Sequence, residues 1–283
     1  KIIVIHQHPK GNMEKFIEPA TRALADECHH LLNNEEIVSS RNPQEVLNIF
    51  TILIWAKLAL KDSNWNPSST HLATIEKLAP ILRSLRHSDA GLPRFHGSCG
   101  DVDGQLDQAL SNAESREISP IEKSVGFVKL SNSRTTIIID AAPPPMGKKA
   151  VKADASTLAF EMVSGQRRIF TSCGPGYLFG SNLSSASRQT SSHSVVYIDN
   201  QNSSQFSDKE SWLKIPKKVI INGPRNVPKE ISNDQGTCIF EGAHDGYVKS
   251  YGLTHVRKLK LAQDGKTFEG EDLITVSYTH LTL

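Results

Sequence analysis

The sequence predicts an α+β chain in two parts, helices first and an antiparallel β-sandwich after them. Apolar residues recur at helical spacing up to about residue 115 and form short β-type runs from about residue 124. Gly, Pro, Asn or Asp punctuate most of those runs. Helices and strands do not alternate, so the βαβ units of a parallel sheet are not expected. The pattern changes around "SREISP" (115–120). The boundaries read as a helical domain over 1–116, a sandwich domain over 117–275 and a non-native tail over 276–283.

In the first part, "RNPQEVLNIFTILIWAKLALK" starts a helix, with Asn42 as N-cap, Pro43 at the first helical position and Glu45 in the first turn. Its apolar residues (Leu47, Ile49, Phe50, Leu53, Ile54, Trp55, Leu58) surround the axis, which predicts a helix buried on all sides. The next helix, "STHLATIEKLAPILRSLRHS", puts Leu72, Ile75, Leu78, Leu82 and Leu85 on one stripe, with Pro80 inside it. A further helix falls within "DVDGQLDQALSNA".

The second part offers nine strand candidates. They are "GFVKLS", "RTTIIIDA", "TLAFEMV", "RRIFTS", "HSVVYID", "KKVIIN", "GTCIFEG", "GYVKSY" and "HVRKLKLA". Short strands separated by turn signals fit a sandwich. The final "TVSYTHLTL" resembles a translated adapter sequence, so native sequence is expected to end near 272–274.

Composition excludes several classes. The chain has 283 residues, 38% hydrophobic and 22% charged, a globular balance. A net charge of +2 gives no reason to expect nucleic acid as a partner. Cys28, Cys99, Cys173 and Cys238 are widely spaced and show neither a disulfide framework nor a zinc-finger pattern. The longest apolar stretch, "IFTILIWAKLAL", is shorter than the roughly 20 residues of a membrane span, so no transmembrane segment is expected. The opening "KIIVIHQHPK" has neither Met nor a signal pattern and reads as the inside of a longer protein. No HExxH, GxSxG or Walker pattern occurs.

Chemistry-bearing side chains gather beside the strands. One stretch carries Lys152, Asp154, Glu161, Arg167 and Arg168; another carries His193; a third carries His244, Asp245, Tyr247, His255 and Arg257. Histidine and tyrosine are the usual proton carriers when their surroundings tune them. Each also has an ordinary explanation. A histidine at a strand end often serves a turn. Asp245-Gly246 is a turn dipeptide. Arg257 sits where a solvated face is common. His255 and Arg257 are two apart and share a strand face.

"GLPRFHG", "IIIDAAPPP", "ASTLAFEMVSGQRRI", "CGPG", "SSHSVVYID" and "HDGYVKSYGLTHVRKLKL", in that order, resemble the heparinase II/III family. The resemblance covers about residues 35–274. It implies a partial α/α toroid followed by the antiparallel sandwich, with a substrate cleft between them. It implies a polysaccharide lyase that cleaves an acidic, uronate-containing polysaccharide by β-elimination. In that reaction the uronate carboxylate is neutralised, a Tyr or His takes the C5 proton, and an acid protonates the leaving oxygen.

Carried over by position, the resemblance puts Lys152 where the family has a catalytic His and Asp154 where it has a metal ligand. Ser172 stands at another ligand position and His193 at the last. His193, His244 and Tyr247 are the catalytic candidates; Arg41, Asn42, His255 and Arg257 are the substrate-binding ones; Asp154 and His193 are the remaining metal pair, expected to lie side by side. Glu45 stands near the position of a family Tyr. Asn42-Pro43 is equally explained as a helix start. With this donor set no cofactor is expected to be required, and tight zinc is not expected. The family association also implies a cell-envelope or periplasmic location. The alternatives are a non-catalytic glycan-binding relative with a degraded site, and a glycoside hydrolase, for which no facing carboxylate pair is evident.

Overall fold

The computed structural model of the chain describes residues 14–33, 38–100, 104–113, 125–207 and 219–276. The linker at 115–120 and the tail from residue 277 lie outside the described residues. Val276, assigned by sequence to the tail, is the last residue of the final strand.

Helices α1 (Glu14–Asn33), α2 (Pro43–Asp62), α3 (Ser69–Leu85) and α4 (Gln105–Asn112) come first. Asn42 caps α2, its Oδ1 accepting the amides of Gln44 at 2.9 Å and Glu45 at 3.4 Å. Burial of α2 is one-sided. Val46, Leu47, Phe50, Leu53 and Ile54 are enclosed by α3 and α4, whereas Ile52, Trp55 and Leu58 are exposed. The expectation of a helix buried all round is therefore corrected. By length and composition alone α2 is apolar enough to cross a bilayer, and half of it is buried within the helical core. α3 runs through Pro80 to Leu85 and buries Ile75, Leu78, Leu82 and Leu85; Leu72 of the expected stripe is exposed.

Strands β1 (Phe127–Asn132), β2 (Thr135–Asp140), β3 (Phe160–Ser164) and β4 (Arg167–Phe170) form an antiparallel meander in sequence order. A short pair, β5 (Gln205–Phe206) and β6 (Ile220–Asn222), stands apart. A second meander holds β7 (Lys229–Asp234), β8 (Thr237–His244), β9 (Leu253–Leu261) and β10 (Phe268–Val276).

The first sheet is covered on both faces. Ile137, Ile139, Phe160 and Met162 pack with Phe240, Leu259 and Leu261 of the second sheet. Phe127 and Ile138 join the helical core around Leu47, Phe50 and Leu78. Every residue of β2 is consequently buried, which is why "TTIIID" reads as a continuous apolar run. The layers run helices, first sheet, second sheet. Asp140 and Glu161 lie on the helix-facing side, since Asp140 is two residues from Ile138 and Glu161 pairs with it.

Two strand expectations fail. The run 195–198 makes only an isolated bridge from Ile198 to Gln201. Val196 O accepts instead from the Tyr247 hydroxyl, and Ser194 O, just before the run, accepts from Arg257. "GYVKSY" contains a helical turn, α6 (Val248–Tyr251), closed by Gly252 in the left-handed region. The sequence also gave no sign of β7 and β10, the two edges of the second sheet.

Candidate functional site

The helix-facing side of the first sheet carries a buried polar layer. Asp140, at the end of β2, is fully enclosed and meets Arg41 from the segment leading into α2. Arg41 Nη2 reaches Asp140 Oδ1 at 2.5 Å, and Ser156 Oγ donates to Oδ2 at 2.6 Å. Arg41 also donates to the carbonyls of Val125, Gly126, Ala142 and Pro143 and stacks on Phe127. Burial opposes ionisation of Asp140, but Arg41 and His96 outweigh it and hold the carboxyl well below its usual range.

His96 comes from "GLPRFHG" and is fully buried, with a backbone in the left-handed region. Its amide donates to Asp154 Oδ2 at 2.5 Å, and its Nδ1 accepts the Asp154 amide at 3.2 Å. The neutral ring therefore carries its proton on Nε2, which lies 3.3 Å from Asp140 Oδ2. Burial pushes the Asp154 carboxyl up to about 7, against the pull of Arg188 and the His96 amide.

Glu161 on β3 is the second enclosed carboxylate. Its Oε1 accepts the amides of Arg94 and Ser172, both at 3.0 Å. Its Oε2 has no hydrogen-bond partner and lies 3.8 Å from His87 Nε2 and 3.7 Å from Arg168 Nη1. Burial raises the Glu161 carboxyl to about 7 and lowers the His87 imidazole to about 3. Ser172 connects this group to His193: His193 Nδ1 and Ser172 Oγ are 3.1 Å apart. His193 Nε2 is buried without a partner. Burial, then the nearby His96, lowers His193 to about 4, so the ring is neutral at pH 7.

The metal pair expected from the sequence does not meet directly. Asp154 turns to His96, and His193 turns to Ser172. Among the described residues no three His, Cys, Asp or Glu side chains assemble as a metal set. With one oxygen of Asp154 committed to an amide and a serine beside the imidazole, these donors do not fit a tight zinc site.

The remaining candidates are committed inside the fold. Asn42 is 1% exposed and serves as the helix cap. Arg41 ties the helical segment to the sandwich. His244, His255 and Arg257 form a chain inside the second sheet. Gly246 N donates to His244 Nδ1, His244 Nε2 meets His255 Nδ1 at 3.1 Å, and His255 Nε2 meets Asp272 Oδ1 at 2.6 Å. Arg257 spends its guanidinium on Asp272 and on the carbonyls of Leu158 and Ser194. Tyr247 is 1% exposed; its hydroxyl donates to Val196 O at 2.9 Å, and burial pushes it up to about 12. The polar atoms of Arg41, Asn42, Tyr247 and Arg257 that could meet a sugar are thus occupied by backbone and side-chain partners, and both ring nitrogens of His255 are engaged by His244 and Asp272.

One pair does meet at a partly open junction. Lys152 Nζ lies 3.3 Å from Glu45 Oε1, with side chains 42% and 36% exposed. Ser40 Oγ holds the other Glu45 oxygen, and the Lys152 stem packs over Gly97 beside His96. Lys152 belongs to the sandwich half and Glu45 to the first turn of α2. Sequence reading did not single out His87 or His96. Asp140 and Glu161 carried a legible signal, being carboxylates embedded in apolar strand runs.

The sequence profile described as heparinase II/III-like, C-terminal, matches residues 120–281. The chain is 26% identical over 266 residues to FtsZ-localized protein C of Caulobacter vibrioides, covering 93% of this chain and 45% of that protein. It spans less than half the length of this curated relative. Among solved structures, a heparinase III is similar over 92% of this chain and 41% of its own, at 15% identity and TM-score 0.67. A heparan sulfate lyase mutant from Pedobacter heparinus is similar over 93% of this chain and 42% of its own, at 16% identity and TM-score 0.64. At these identities the structural likeness establishes the fold, helices followed by an antiparallel sandwich.

Proposed function

This chain belongs to the heparinase II/III-like C-terminal family, and from that premise we propose that it is part of a polysaccharide lyase acting on a uronate-containing chain. The observation that carries the reading is the Lys152–Glu45 pair. The family resemblance puts a catalytic His at 152 and a Tyr near 45. The side chains at these two positions meet across the helical and sandwich halves and remain partly open to solvent.

The physical roles follow from what is unspent. Lys152 is a partly exposed cation able to leave Glu45 for a uronate carboxylate, which favours loss of the adjacent C5 proton. His193 is neutral at pH 7, and its partnerless Nε2 can accept a proton in the tautomer whose Nδ1–H points to Ser172 Oγ. No step requires a metal ligand set. An acidic polysaccharide is the partner, and the cell envelope is where such a chain would be met.

The test is to incubate the full-length protein with a panel of uronate polysaccharides and follow absorbance of the unsaturated product. Activity that falls at least about a hundredfold in Lys152→Ala and in His193→Ala would support the roles assigned here. A flat trace across the panel with retained polysaccharide binding would favour the non-catalytic relative. That second reading draws on the internal commitment of Tyr247 and Arg257. A fluorescent fusion tests the location. The Caulobacter relative's name supplies the competing outcome, a position set by FtsZ.

A further inference from the structure

A groove of about 840 Å³ opens on the sandwich half. Its described lining runs from Ser185 to Ser250 and includes no residue of the helical half. It is therefore separate from the Lys152–Glu45 junction. Its volume falls in the range of sites for small ligands.

The lining is unusually rich in planar amides and hydroxyls. Gln201, Gln205 and Asn222 present carboxamides, Arg225 and Lys249 add cations, and Phe206 adds an aromatic surface. Among the described residues, these three amides and two cations have no side-chain hydrogen-bond partner. Each carboxamide offers two donors and an acceptor in one plane, which suits the alternating donors and acceptors of neighbouring sugar hydroxyls. Phe206 is half-buried under the Arg188 guanidinium, 5.0 Å from the ring centroid, and so holds a fixed position.

The backbone is shaped for this opening. A Cβ on Gly223 would lie 2.7 Å from Ser204 Oγ, and one on Gly246 would lie 2.6 Å from Ser203 O. Glycine at 246 is what lets that loop close on the Ser203 backbone. Ser204 Oγ is itself buried without a partner, and Ser204 is 2% exposed. Asp245, the carboxylate in the lining, uses Oδ1 to hold the amides of Arg225 at 2.8 Å and Asn226 at 3.3 Å. It fixes the loop that presents Arg225.

We propose that this groove binds an oligosaccharide segment that is rich in hydroxyls and sparsely charged. Two cations against one carboxylate give room for an occasional uronate, which Arg225 can hold through paired hydrogen bonds. A densely sulfated chain would need many more cations along its length. The site is a holding site and not a place of cleavage: it keeps a polysaccharide on the sandwich whether or not the junction cuts it.

The test uses full-length protein carrying Lys152→Ala, so that cleavage at the junction does not consume the probes. Calorimetric titration at about 0.15 M salt compares a hyaluronan hexasaccharide, a heparin hexasaccharide and cellohexaose. The hyaluronan probe should bind, and adding Gln205→Ala with Gln201→Ala should weaken it at least about tenfold. These two glutamines are exposed, so an unchanged melting temperature serves as the folding control. Arg225→Glu should weaken the hyaluronan probe more than cellohexaose. Equal affinity in the glutamine variants, no binding by any probe, or preference for the heparin probe would each overturn the proposal. Loss of lyase activity in the parent protein would leave these titrations unaffected, so the two readings fail separately.

Discussion

Asp272 on β10 lies directly opposite Arg257 on β9 and grips its guanidinium at two points, Nε to Oδ1 and Nη2 to Oδ2, both at 2.8 Å. The third guanidinium nitrogen crosses to the first sheet's side, donating to Leu158 O at 2.7 Å and Ser194 O at 2.6 Å. A carboxylate on an edge strand thus orients the arginine that fastens the second sheet to the loops before and beside β3. Burial works against the Asp272 charge, but His255 and Arg257 keep its carboxyl well below the usual range.

Arg257→Ala should therefore act on stability. Arg257 is buried while Asp272 on the edge strand is exposed, so removing the guanidinium chiefly strands the Leu158 and Ser194 carbonyls and costs about 1–3 kcal/mol. The denaturant midpoint should fall, and Arg257→Lys should recover little of it, because a point charge cannot reproduce the fork. A variant that unfolds like the parent yet loses affinity for anionic glycan would restore the sugar-binding role.

The histidine chain fixes its own protons. Gly246 N can only donate, so His244 Nδ1 accepts and neutral His244 carries hydrogen on Nε2. That hydrogen goes to His255 Nδ1, and His255 Nε2–H goes to Asp272. Nitrogen NMR at pH 7 should find both rings protonated at Nε2, with His244 neutral down to well below pH 6, since burial and His255 lower it to about 3. A His244 ring protonated on Nδ1 would break the chain as described.

Stability should be lost on the acid side of neutrality. Burial lowers His71, His87, His96, His193 and His244, so the unfolded chain takes up protons first. Their contribution is full above the unfolded value of about 6.5 and is lost as pH drops below it. Asp154 and Glu161 are raised to about 7, so the folded state holds those two protons more tightly, an advantage lost progressively between about pH 4 and about pH 7 and gone above it. The five lowered histidines outweigh the two raised carboxyls, so melting temperature should climb from pH 5 to about 7 and level off above it. A flat profile over this range would contradict the burial of these groups.

Much of the fold was legible in particular residues. Asn42-Pro43 marked the start of α2, and the β-branched runs marked β2, β3, β8 and β9. β7 was not legible because an edge strand exposed throughout, "KEISND", has no apolar alternation to read. The run 195–198 misled because strand-like composition says nothing of where backbone oxygens go, and here Tyr247 takes that of Val196 and Arg257 that of the preceding Ser194. At the site, residue types were visible but pairings were not. Asp140 and Glu161 could be noticed as charges in apolar runs. That Arg41, more than ninety residues earlier, neutralises Asp140 is a fact of packing.

Arg41 is one of the side chains that tie the two halves together, alongside the apolar packing of Phe127 and Ile138 on the helices. It donates to four carbonyls of 125–126 and 142–143 as well as to Asp140. Arg41→Lys should cost about 3 kcal/mol or more, because one ammonium replaces a fork and leaves buried acceptors unmet. Limited proteolysis should then cut between the halves faster than within either. Unchanged melting and cleavage would deny this role.

His193 supplies the last test. Its Nδ1 is held at Ser172 Oγ and its Nε2 is enclosed without a partner, while Asp154 is engaged by His96. A zinc ion needs three or four well-placed donors, and here a serine stands beside one imidazole. Added zinc should leave the melting temperature of the full-length protein unchanged, and a chelator should do the same, since a ligand that does not bind the folded state cannot stabilise it. His193→Ala should cost about 1–3 kcal/mol through the unpaired Ser172 hydroxyl and the space left beside Phe95, whose ring centroid lies 6.2 Å away. That loss should be the same with and without zinc. Stoichiometric zinc in the purified protein, or a zinc-dependent rise in melting temperature abolished by His193→Ala, would show that Ser172, Asp154 and His193 rearrange into a metal site after all.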